Sequence, residues 1–444
     1  MKGKRIGRRK RALAGTLALT LAAAALLAAC GVKPVTQADG VPGQKGEAER
    51  RESSAAFDSS EAKRTYGLSD VSGAVVTAQN AFSLNLHRQL AAEHRTENIF
   101  VSPYSVASAL SMVYHGADGT TRQEIGRVLQ AEGMNLEEWS RGSRVLKDLL
   151  EHSGKGNRLN IANSIWLREG FPVREEFIKR NREEYGAEVS ELDFANDSAA
   201  DTINKWVRKR TEEKIQGIVQ APISEDLVMY LIDAVYFHGT WALPFMKGDT
   251  EQAPFYSSPD APAEVMMMKQ SGRFAYQRED GYQAIRLPYQ GDKINMLVVL
   301  PDEGWSLAGL QEKLWNDAAF WTRQMPDVEG TIELPRLKLE ASYDLIPSLK
   351  GLGMREAFGD RADFRGISDR SVMISEAAHK TYLRVDEQGT EAAAVTSIGV
   401  VKVSAEKGVG DPFHMTVNRP FLLAIQSSET GSLLFLGTIH KPQE

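Results

Sequence analysis

The fold of this chain can be inferred from one stretch near its C-terminus, Val385-Asp-Glu-Gln-Gly-Thr-Glu-Ala-Ala-Ala-Val-Thr-Ser-Ile-Gly-Val-Val-Lys-Val-Ser404, which continues to Pro412. A strand-like segment ends near its start, and the residues that follow are small or β-branched without a helical period. A loop of this length is uncommon in a compact domain and is usually functional or disordered. Disordered tails favour Pro, Glu, Lys, Ser and Gln, whereas residues 390–403 are rich in Ala and Val. Two interpretations stay open: a surface loop, and a segment that can join a β-sheet.

The N-terminus has the pattern of an export signal. Residues 1–29 contain seven Lys or Arg, all by Arg11, no acidic residue, and an apolar run from Leu13 to Ala29. This pattern is typical of a secretory signal rather than a membrane span. The small residues before Cys30 resemble a bacterial lipobox, in which the signal is cut before a cysteine that is then lipidated; an ordinary signal with an incidental cysteine is the alternative. We expect an exported protein, anchored through Cys30 to the outer face of the bacterial cell membrane, or extracellular if released.

Cysteine content and net charge narrow the class of protein. Cys30 is the only cysteine in 444 residues, so no intramolecular disulfide can form and the fold must rest on its core. The formal net charge is −6, and it becomes −13 without the seven basic residues of the signal. Nucleic-acid binding requires basic patches that neutralise phosphates. We therefore expect no nucleic-acid partner, and the sequence gives no support for a metal or an organic cofactor.

The exported part divides into a tether and a domain. Residues 31–71 are rich in Gly, Ser, Ala, Glu and Arg and almost lack aromatic residues, so they cannot bury enough apolar surface to fold. We predict that residues 30–71, which begin with the lipidated cysteine, form a disordered tether. No second linker or repeat interrupts residues 72–444, which predicts one large domain.

The order of elements in this domain indicates its fold class. Helix starts dominate the first half: Ser72 is a plausible N-cap, and Ser102-Pro103 combines an N-cap with proline at the first helical position. The apolar run from Leu227 to Phe237 is typical of a strand buried on both faces, and strand patterns dominate the residues after it. Helices followed by strands indicate an α+β fold.

Nine short stretches, spread over most of the domain, stand in an order that is typical of one protein family. They are Asn98-Ile-Phe-Val-Ser-Pro-Tyr-Ser105, Ala162-Asn-Ser-Ile-Trp166, Asp233-Ala-Val-Tyr-Phe-His-Gly-Thr-Trp241, Leu334-Pro-Arg-Leu-Lys-Leu-Glu340, Leu352-Gly-Met-Arg-Glu-Ala-Phe358, Ala362-Asp-Phe-Arg-Gly-Ile-Ser368, Ile374-Ser-Glu-Ala-Ala-His379, residues 387–394 and Asn418-Arg-Pro-Phe421. With these, the chain resembles a serpin from about Ser72 to Pro442. The resemblance implies a single α+β domain with about nine helices, three β-sheets and an exposed reactive loop at residues 387–412.

The resemblance also implies an activity. A serine or cysteine endopeptidase attacks the reactive loop of a serpin and becomes acylated; the cut loop then inserts into the central sheet and distorts the protease before deacylation. The implied hinge of this loop is permissive, because it contains no Pro and no large residue. Its residues are Glu387, Gly389, Thr390, Glu391, Ala392, Ala393 and Ala394. We therefore expect a suicide-substrate inhibitor that acts as a monomer, rather than a non-inhibitory serpin.

Family spacing places the reactive bond between Val403 and Ser404. Valine at this position suits proteases with small apolar pockets, such as elastase- or subtilisin-like enzymes. If the register is one residue shorter, the bond lies between Lys402 and Val403, and the target is trypsin-like. The stretch from Ser404 to His414 is longer than in many serpins, and both registers stay open.

A polar cluster lies beneath the reactive loop of serpins, and several residues here match it. They are Ser102, Ser105, Asn163, Asp233 and His379, with Trp241 matching an aromatic residue at the upper opening of the sheet. The alternative for His379 is a core histidine whose hydrogen bonds are satisfied, and the alternative for Trp241 is ordinary core packing. Position 233 departs from the family, which usually has Asn there. A buried carboxylate is costly unless it is paired, so we hypothesise that an Asp233–His379 contact makes sheet opening sensitive to pH.

Two other functional classes are alternatives to inhibition. Ser404-Ala-Glu-Lys407 and Ser60-Glu-Ala-Lys63 fit the Ser-x-x-Lys pattern of some acyl-transferring enzymes, but neither has a recognisable catalytic context, and we predict that the chain is not an enzyme. The other class is a carrier or binding protein built on the serpin fold, which would leave a protease's rate unchanged.

Overall fold

The structure, a computed structural model, describes residues 64–154, 156–224, 227–258, 262–390 and 411–443. These residues form eight α-helices and two β-sheets, with the helices mainly in the first half and the strands in the second, which confirms the predicted α+β class. The helices are α1 Gly73–Glu93, α2 Pro103–Tyr114, α3 Gly119–Val128, α4 Leu136–Glu151, α5 Glu175–Tyr185, α6 Ser198–Arg210, α7 Leu307–Trp315 and α8 Ile346–Gly351.

The helix starts predicted at Ser72 and at Ser102-Pro103 are present. Ser72 caps α1, its Oγ accepting the backbone N–H of Val75, and Ser102 caps α2 in the same way for Ser105, with Pro103 as the first helical residue. An N-cap satisfies one of the unpaired N–H groups of a first turn. Within the described ranges, no helix is both long enough and apolar enough to cross a membrane.

The fifteen strands divide into a six-stranded and a nine-stranded sheet. The smaller sheet has the order β10-β11-β12-β4-β2-β3, and the larger has the order β1-β15-β14-β8-β7-β6-β9-β13 with β5 paired to β6. The strands are β1 Ile99–Val101, β2 Asn157–Arg168, β3 Glu188–Leu192, β4 Met229–Thr240, β5 Glu251–Tyr256, β6 Pro262–Glu279, β7 Tyr282–Pro288, β8 Ile294–Pro301, β9 Asp327–Pro335, β10 Leu337–Asp344, β11 Glu376–Asp386, β12 Gly389–Thr390, β13 Phe413–Thr416, β14 Phe421–Ser427 and β15 Leu433–Ile439.

Strand β6 explains why the described residues form two sheets where the resemblance implied about three. It is long enough to pair with three partners: β5 through residues 262–267, β9 through residues 267–275 and β7 through residues 275–279. One continuous strand therefore joins two groups of strands into a single hydrogen-bonded sheet.

The six-stranded sheet is buried on both faces. Along β4, alternate residues such as Leu231 and Val235 belong to the main hydrophobic core. The residues between them, such as Ile232 and Ala234, belong to a second core that includes Ile203 of α6. Successive side chains of a strand point to opposite faces, which is why this strand appears in the sequence as a continuous apolar run.

Contacts with the domain begin eight residues before the predicted start at Ser72. The Arg64 guanidinium contacts both carboxylate oxygens of Glu429, at 3.2 and 2.5 Å, and the backbone N–H groups of Thr65 and Tyr66 donate to the Asp148 carboxylate. All described residues belong to one unit that runs from Ser59 to Glu444. Residues 64–71, which we predicted as part of the tether, therefore lie against α4.

Candidate functional site

The candidate site is the seam between β4 and β11 in the six-stranded sheet. These two strands pair in parallel over seven residue pairs, from Glu376 opposite Tyr230 to Tyr382 opposite Tyr236. Beyond this point they diverge, and β12 lies between them, antiparallel to both. The chain that leaves β11 thus turns at residues 387–388 and re-enters the sheet as the first two residues of a new strand.

Gly389, the predicted hinge glycine, is required here by steric constraints. Its φ of +151° lies in a range that residues with a side chain rarely adopt. A Cβ atom at this position would also lie 2.0 Å from the carbonyl oxygen of Gly239 on β4. A residue without a side chain is therefore needed where the chain enters the seam.

Thr390 and Trp241 hold the new strand in place. The Thr390 side chain is fully buried, and its Oγ1 lies 2.5 Å from the Tyr289 hydroxyl. The Tyr289 ring stacks on Trp241 with ring centroids 4.5 Å apart. Trp241 donates from Nε1 to the Asp386 carbonyl and from its backbone N–H to the Gln388 carbonyl, at 3.0 and 2.9 Å. The aromatic residue expected at the upper opening of the sheet therefore supports the turn itself.

Glu387 is a buried carboxylate that accepts three hydrogen bonds from two residues. Its Oε1 accepts hydrogen bonds from Arg336 Nε at 2.9 Å, from Arg336 Nη2 at 2.6 Å and from Thr250 Oγ1 at 2.7 Å. Burial alone raises the pKa of the Glu387 carboxyl, but these hydrogen bonds outweigh burial and hold the pKa below its ordinary value of 4.5. The turn at the seam is therefore held by an ion pair.

The sequence reasoning missed Arg336, Thr250 and Tyr289 as parts of this site. Arg336 lies inside one of the quoted stretches, Leu334 to Glu340, but nothing in the local pattern shows which carboxylate it reaches. Its partner Glu387 is 51 residues away along the chain. A buried glutamate in the hinge does require a cation, and that requirement is the one signal that could have directed a search among the arginines.

Replacing Glu387 by Gln is expected to lower stability at neutral pH and to have little effect in acid. Because the folded-state pKa is depressed, the carboxylate stabilises the fold above its ordinary pKa of 4.5, and this contribution is lost as the pH falls through the lower folded-state value. Hydrogen bonds to a charged group predict a loss of about 1–3 kcal/mol at neutral pH.

Thermal unfolding of both proteins at neutral pH and in strong acid measures this difference. The exposed Glu264 provides the control, because Glu264→Gln removes a carboxylate from outside the site. If Glu387→Gln lowers thermal stability equally at both pH values, the charge of the carboxylate is not the cause of the lost stability.

The predicted polar cluster is assembled in the buried part of the seam. Asp233 on β4 accepts a hydrogen bond from Ser105 Oγ and lies 3.0 Å from His379 Nδ1 on β11. The backbone N–H of Ser102 donates to His379 Nε2 at 3.1 Å, and Ser102 Oγ donates to the Leu434 carbonyl. A backbone N–H can only donate, so Nε2 must be an acceptor and the ring proton lies on Nδ1, facing the carboxylate. The geometry therefore assigns a neutral imidazole that donates to Asp233.

Asn163 is brought to the cluster but does not bond to it. It lies on β2 directly opposite Asp233, and its side chain is buried. Neither polar atom of its amide has a hydrogen-bond partner among the described residues. The pH sensitivity that we hypothesised for the Asp233–His379 contact stays a prediction, although the contact itself is present.

The other predicted site residues lie outside the described part of the chain. These are Glu391, Ala392, Ala393 and Ala394 of the hinge, Lys402, Val403 and Ser404 around the reactive bond, and Cys30. Their roles stay predictions.

Comparison with known proteins identifies the family of this chain. The family model described as "Serpin (serine protease inhibitor)" matches residues 77–442. A serpin-like protein of Methanosarcina acetivorans is 34% identical over 375 residues, 83% of this chain and 88% of that protein. Human leukocyte elastase inhibitor is 33% identical over 384 residues, 82% of this chain and 99% of that protein.

Solved structures show the same fold. The structure of human thyroxine-binding globulin, determined in complex with thyroxine, has a TM-score of 0.75 and 29% identity to this chain, and the match covers 84% of this chain and 100% of that one. The relatives thus include both an elastase inhibitor and a thyroxine-binding globulin. The family model and the relatives show that this chain belongs to the serpin family.

Proposed function

We propose that this protein inhibits serine endopeptidases as a suicide substrate, by acyl-enzyme trapping and insertion of the cleaved reactive loop into the seam between β4 and β11. The observation that carries the proposal is β12. Gly389 and Thr390 already form the first two positions of a strand that is antiparallel to both neighbours. The path into the sheet is therefore started before any cleavage.

The strand pairing at the seam favours insertion of the loop. The existing contact between β4 and β11 is a parallel ladder of seven residue pairs, and parallel pairing is slightly less stable per residue than antiparallel pairing. An inserted strand would replace this single ladder by two antiparallel ladders. Each added backbone hydrogen bond contributes roughly 0.5–1.5 kcal/mol net, so insertion along the seam would release free energy at every step.

The loop sequence suits the two faces of such a strand. Thr390 faces the main core, and alternation would place Ala392, Ala394, Thr396, Ile398 and Val400 on the same face. All of these are small or apolar, apart from Thr396. Glu391 would point to the opposite face, where its charge need not enter the main core.

The register gives Thr396 a specific place. Thr390 pairs with Gly239 on β4 and with Val385 on β11. Continuing these two registers by six residues would bring Thr396 opposite both Asp233 and His379, which are themselves paired. The next polar residue of the inward face would thus meet the polar cluster, where its hydroxyl could bond.

The length of the seam fits the predicted reactive bond. In the same register the loop reaches the start of β4 with Val400, three residues before Val403. A strand that extends over β4 spans about 35 Å at roughly 3.3 Å per residue. Full insertion would therefore carry an acylated protease from one end of the sheet to the other.

Target and location are part of the proposal. Valine at position 403 and the 33% identity to human leukocyte elastase inhibitor support an elastase- or subtilisin-like target, with a trypsin-like target if Lys402 is the reactive residue. The basic and apolar pattern of residues 1–29 supports export and lipid anchoring at Cys30, which would place the inhibitor where exported proteases act.

The test is to mix the protein with an elastase, a subtilisin and trypsin, and to identify the products on denaturing gels by mass. We expect a covalent adduct with the protease and a released C-terminal peptide that begins at Ser404, or at Val403 in the shorter register. Clean cleavage without an adduct, with full protease activity remaining for all three enzymes, would contradict the proposal. That result would favour a substrate-like or carrier protein, the alternative represented by thyroxine-binding globulin.

A further inference from the structure

A cleft of about 610 Å³ lies beside the turn at residues 385–388, at the end of the six-stranded sheet. Four cationic side chains line it: Lys247, Arg336, Lys338 and Arg384. Its volume lies within the range of roughly 300–1,000 Å³ that is usual for small-molecule sites. No role in the proposed inhibition requires a cleft of this size.

The cleft has an excess of positive charge. Arg336 pairs with Glu387 at 2.6 Å, and Arg384 Nε lies 3.7 Å from Asp386 Oδ2. For Lys247 and Lys338, the described residues supply no carboxylate within ion-pair distance. Among its described lining residues, the cleft therefore has four cationic side chains and two carboxylates, in a chain whose formal net charge is −6.

Two of these cations are forced together by the strand register. Lys338 on β10 lies directly opposite Arg384 on β11, and both side chains are exposed on the same face of the sheet. Like charges directly opposite on neighbouring strands destabilise a sheet. An anion bound between them would remove this repulsion.

We propose that this cleft binds a small polyanion that carries two or more phosphate or sulfate groups. The planar Arg384 guanidinium can bind one oxyanion through two parallel hydrogen bonds, and the Lys338 and Lys247 ammonium groups act as point charges for a second. Arg336 would be shared, because its guanidinium also holds Glu387. A ligand in the cleft would therefore compete with Glu387 for Arg336.

This competition links the cleft to the hinge. Glu387 is the first residue after β11, and its ion pair with Arg336 holds the turn that leads into β12. A bound polyanion would weaken that ion pair and change how readily the loop enters the seam. This consequence rests on the proposed inhibitory function, whereas binding itself does not.

The binding test uses inorganic tripolyphosphate, titrated calorimetrically into the full chain at about 0.1 M salt, where charges further apart than about 10 Å are screened. We expect saturable one-to-one binding that weakens roughly tenfold or more in the double variant Lys247→Ala/Lys338→Ala. A tenfold loss of affinity requires that the two lysines together contribute only about 1.4 kcal/mol of binding free energy. Lys179→Ala, on the exposed face of α5, should bind as the wild type does. Absence of saturable binding, or equal binding by the double variant, would overturn the proposal.

A second variant tests the sharing of Arg336. Glu387→Gln frees Arg336 from its carboxylate, so this variant should bind tripolyphosphate about threefold more tightly or better. Glu264→Gln, which removes an exposed carboxylate outside the cleft, should not. If both variants bind tripolyphosphate more tightly by the same factor, the change in net charge explains the increase, and competition for Arg336 is refuted.

Protease inhibition gives a separate readout. With a protease that forms the adduct, tripolyphosphate at a concentration that saturates the wild type but not the double variant should change the rate of adduct formation for the wild type only. Binding without a rate change would refute the link to the hinge. If no protease forms an adduct, the proposed inhibitory function fails, while the calorimetric result still decides whether the cleft is an anion site.

Discussion

Thr390→Arg is expected to turn the protein from an inhibitor into a substrate: the loop will still be cleaved, but almost no covalent adduct will form. Thr390 is fully buried between β4 and β11, with its hydroxyl 2.5 Å from that of Tyr289. An arginine at this position must either bury a charge without a partner or keep β12 out of the sheet. Burying an unpaired charge costs about 3–5 kcal/mol.

The rate consequence is large, because trapping is a competition between insertion and deacylation. A barrier to insertion that is higher by about 3 kcal/mol slows insertion by more than about a hundredfold. Deacylation would then win in nearly every cycle. Gel densitometry of adduct against cleaved protein measures this partition, and residual protease activity measures it independently.

Glu391→Arg is the matched control for this substitution. It introduces the same side chain one residue later, at a position that strand alternation assigns to the opposite face. We expect this variant to retain most of its adduct formation. Equal adduct yields from Thr390→Arg and the wild type would refute insertion through β12, and equal losses from both variants would refute the assigned alternation.

His379→Ala is expected to produce the largest loss of stability at the polar cluster. The substitution leaves the Asp233 carboxylate with Ser105 as its remaining hydrogen-bond donor, leaves the Ser102 N–H without an acceptor and opens a cavity beside the ring of Tyr343. A buried carboxylate that loses a hydrogen-bond donor, together with the cavity left by the ring, costs about 3–5 kcal/mol. The unfolding midpoint in urea should fall accordingly.

Asp233→Asn provides a conservative control at the same cluster. The amide can still accept from His379 Nδ1 through its oxygen and donate to Ser105 Oγ through its nitrogen, so every group keeps a partner. We expect a loss of about 1 kcal/mol or less. A loss from Asp233→Asn as large as that from His379→Ala would show that the carboxylate charge, rather than hydrogen-bond satisfaction, holds the cluster together.

The same pair of proteins tests the hypothesis that sheet opening depends on pH. A proton added to His379 Nε2 would replace the acceptor of the Ser102 N–H by a donor, and in the wild type the resulting imidazolium would face the Asp233 carboxylate. Inhibition rates between pH 5 and 8, corrected for the protease's own pH profile, should therefore differ between wild type and Asp233→Asn. Equal rates throughout for both proteins would reject the hypothesis.

Much of the fold could be predicted because its signals are local. Ser72 and Ser102-Pro103 mark helix starts through hydrogen bonds that span three residues, and the apolar run at Leu227 predicts a strand buried on both faces. The nine quoted stretches indicate the family, and the resemblance to that family predicts the polar cluster. The number of sheets could not be predicted from local signals, because it depends on the pairing of one strand, β6, with three partners.

By itself, the sequence determined the α+β class, the family and the composition of a loop that can enter a sheet, since each depends on residue types and their order. Only the tertiary structure decided which groups meet: that Arg336 neutralises Glu387, that Tyr289 contacts Thr390, that His379 is neutral and donates to Asp233, and that Lys338 faces Arg384. The physical reason is that electrostatic and hydrogen-bond energies depend on distances between atoms. Strand pairing and chain reversal set those distances between residues far apart in the sequence.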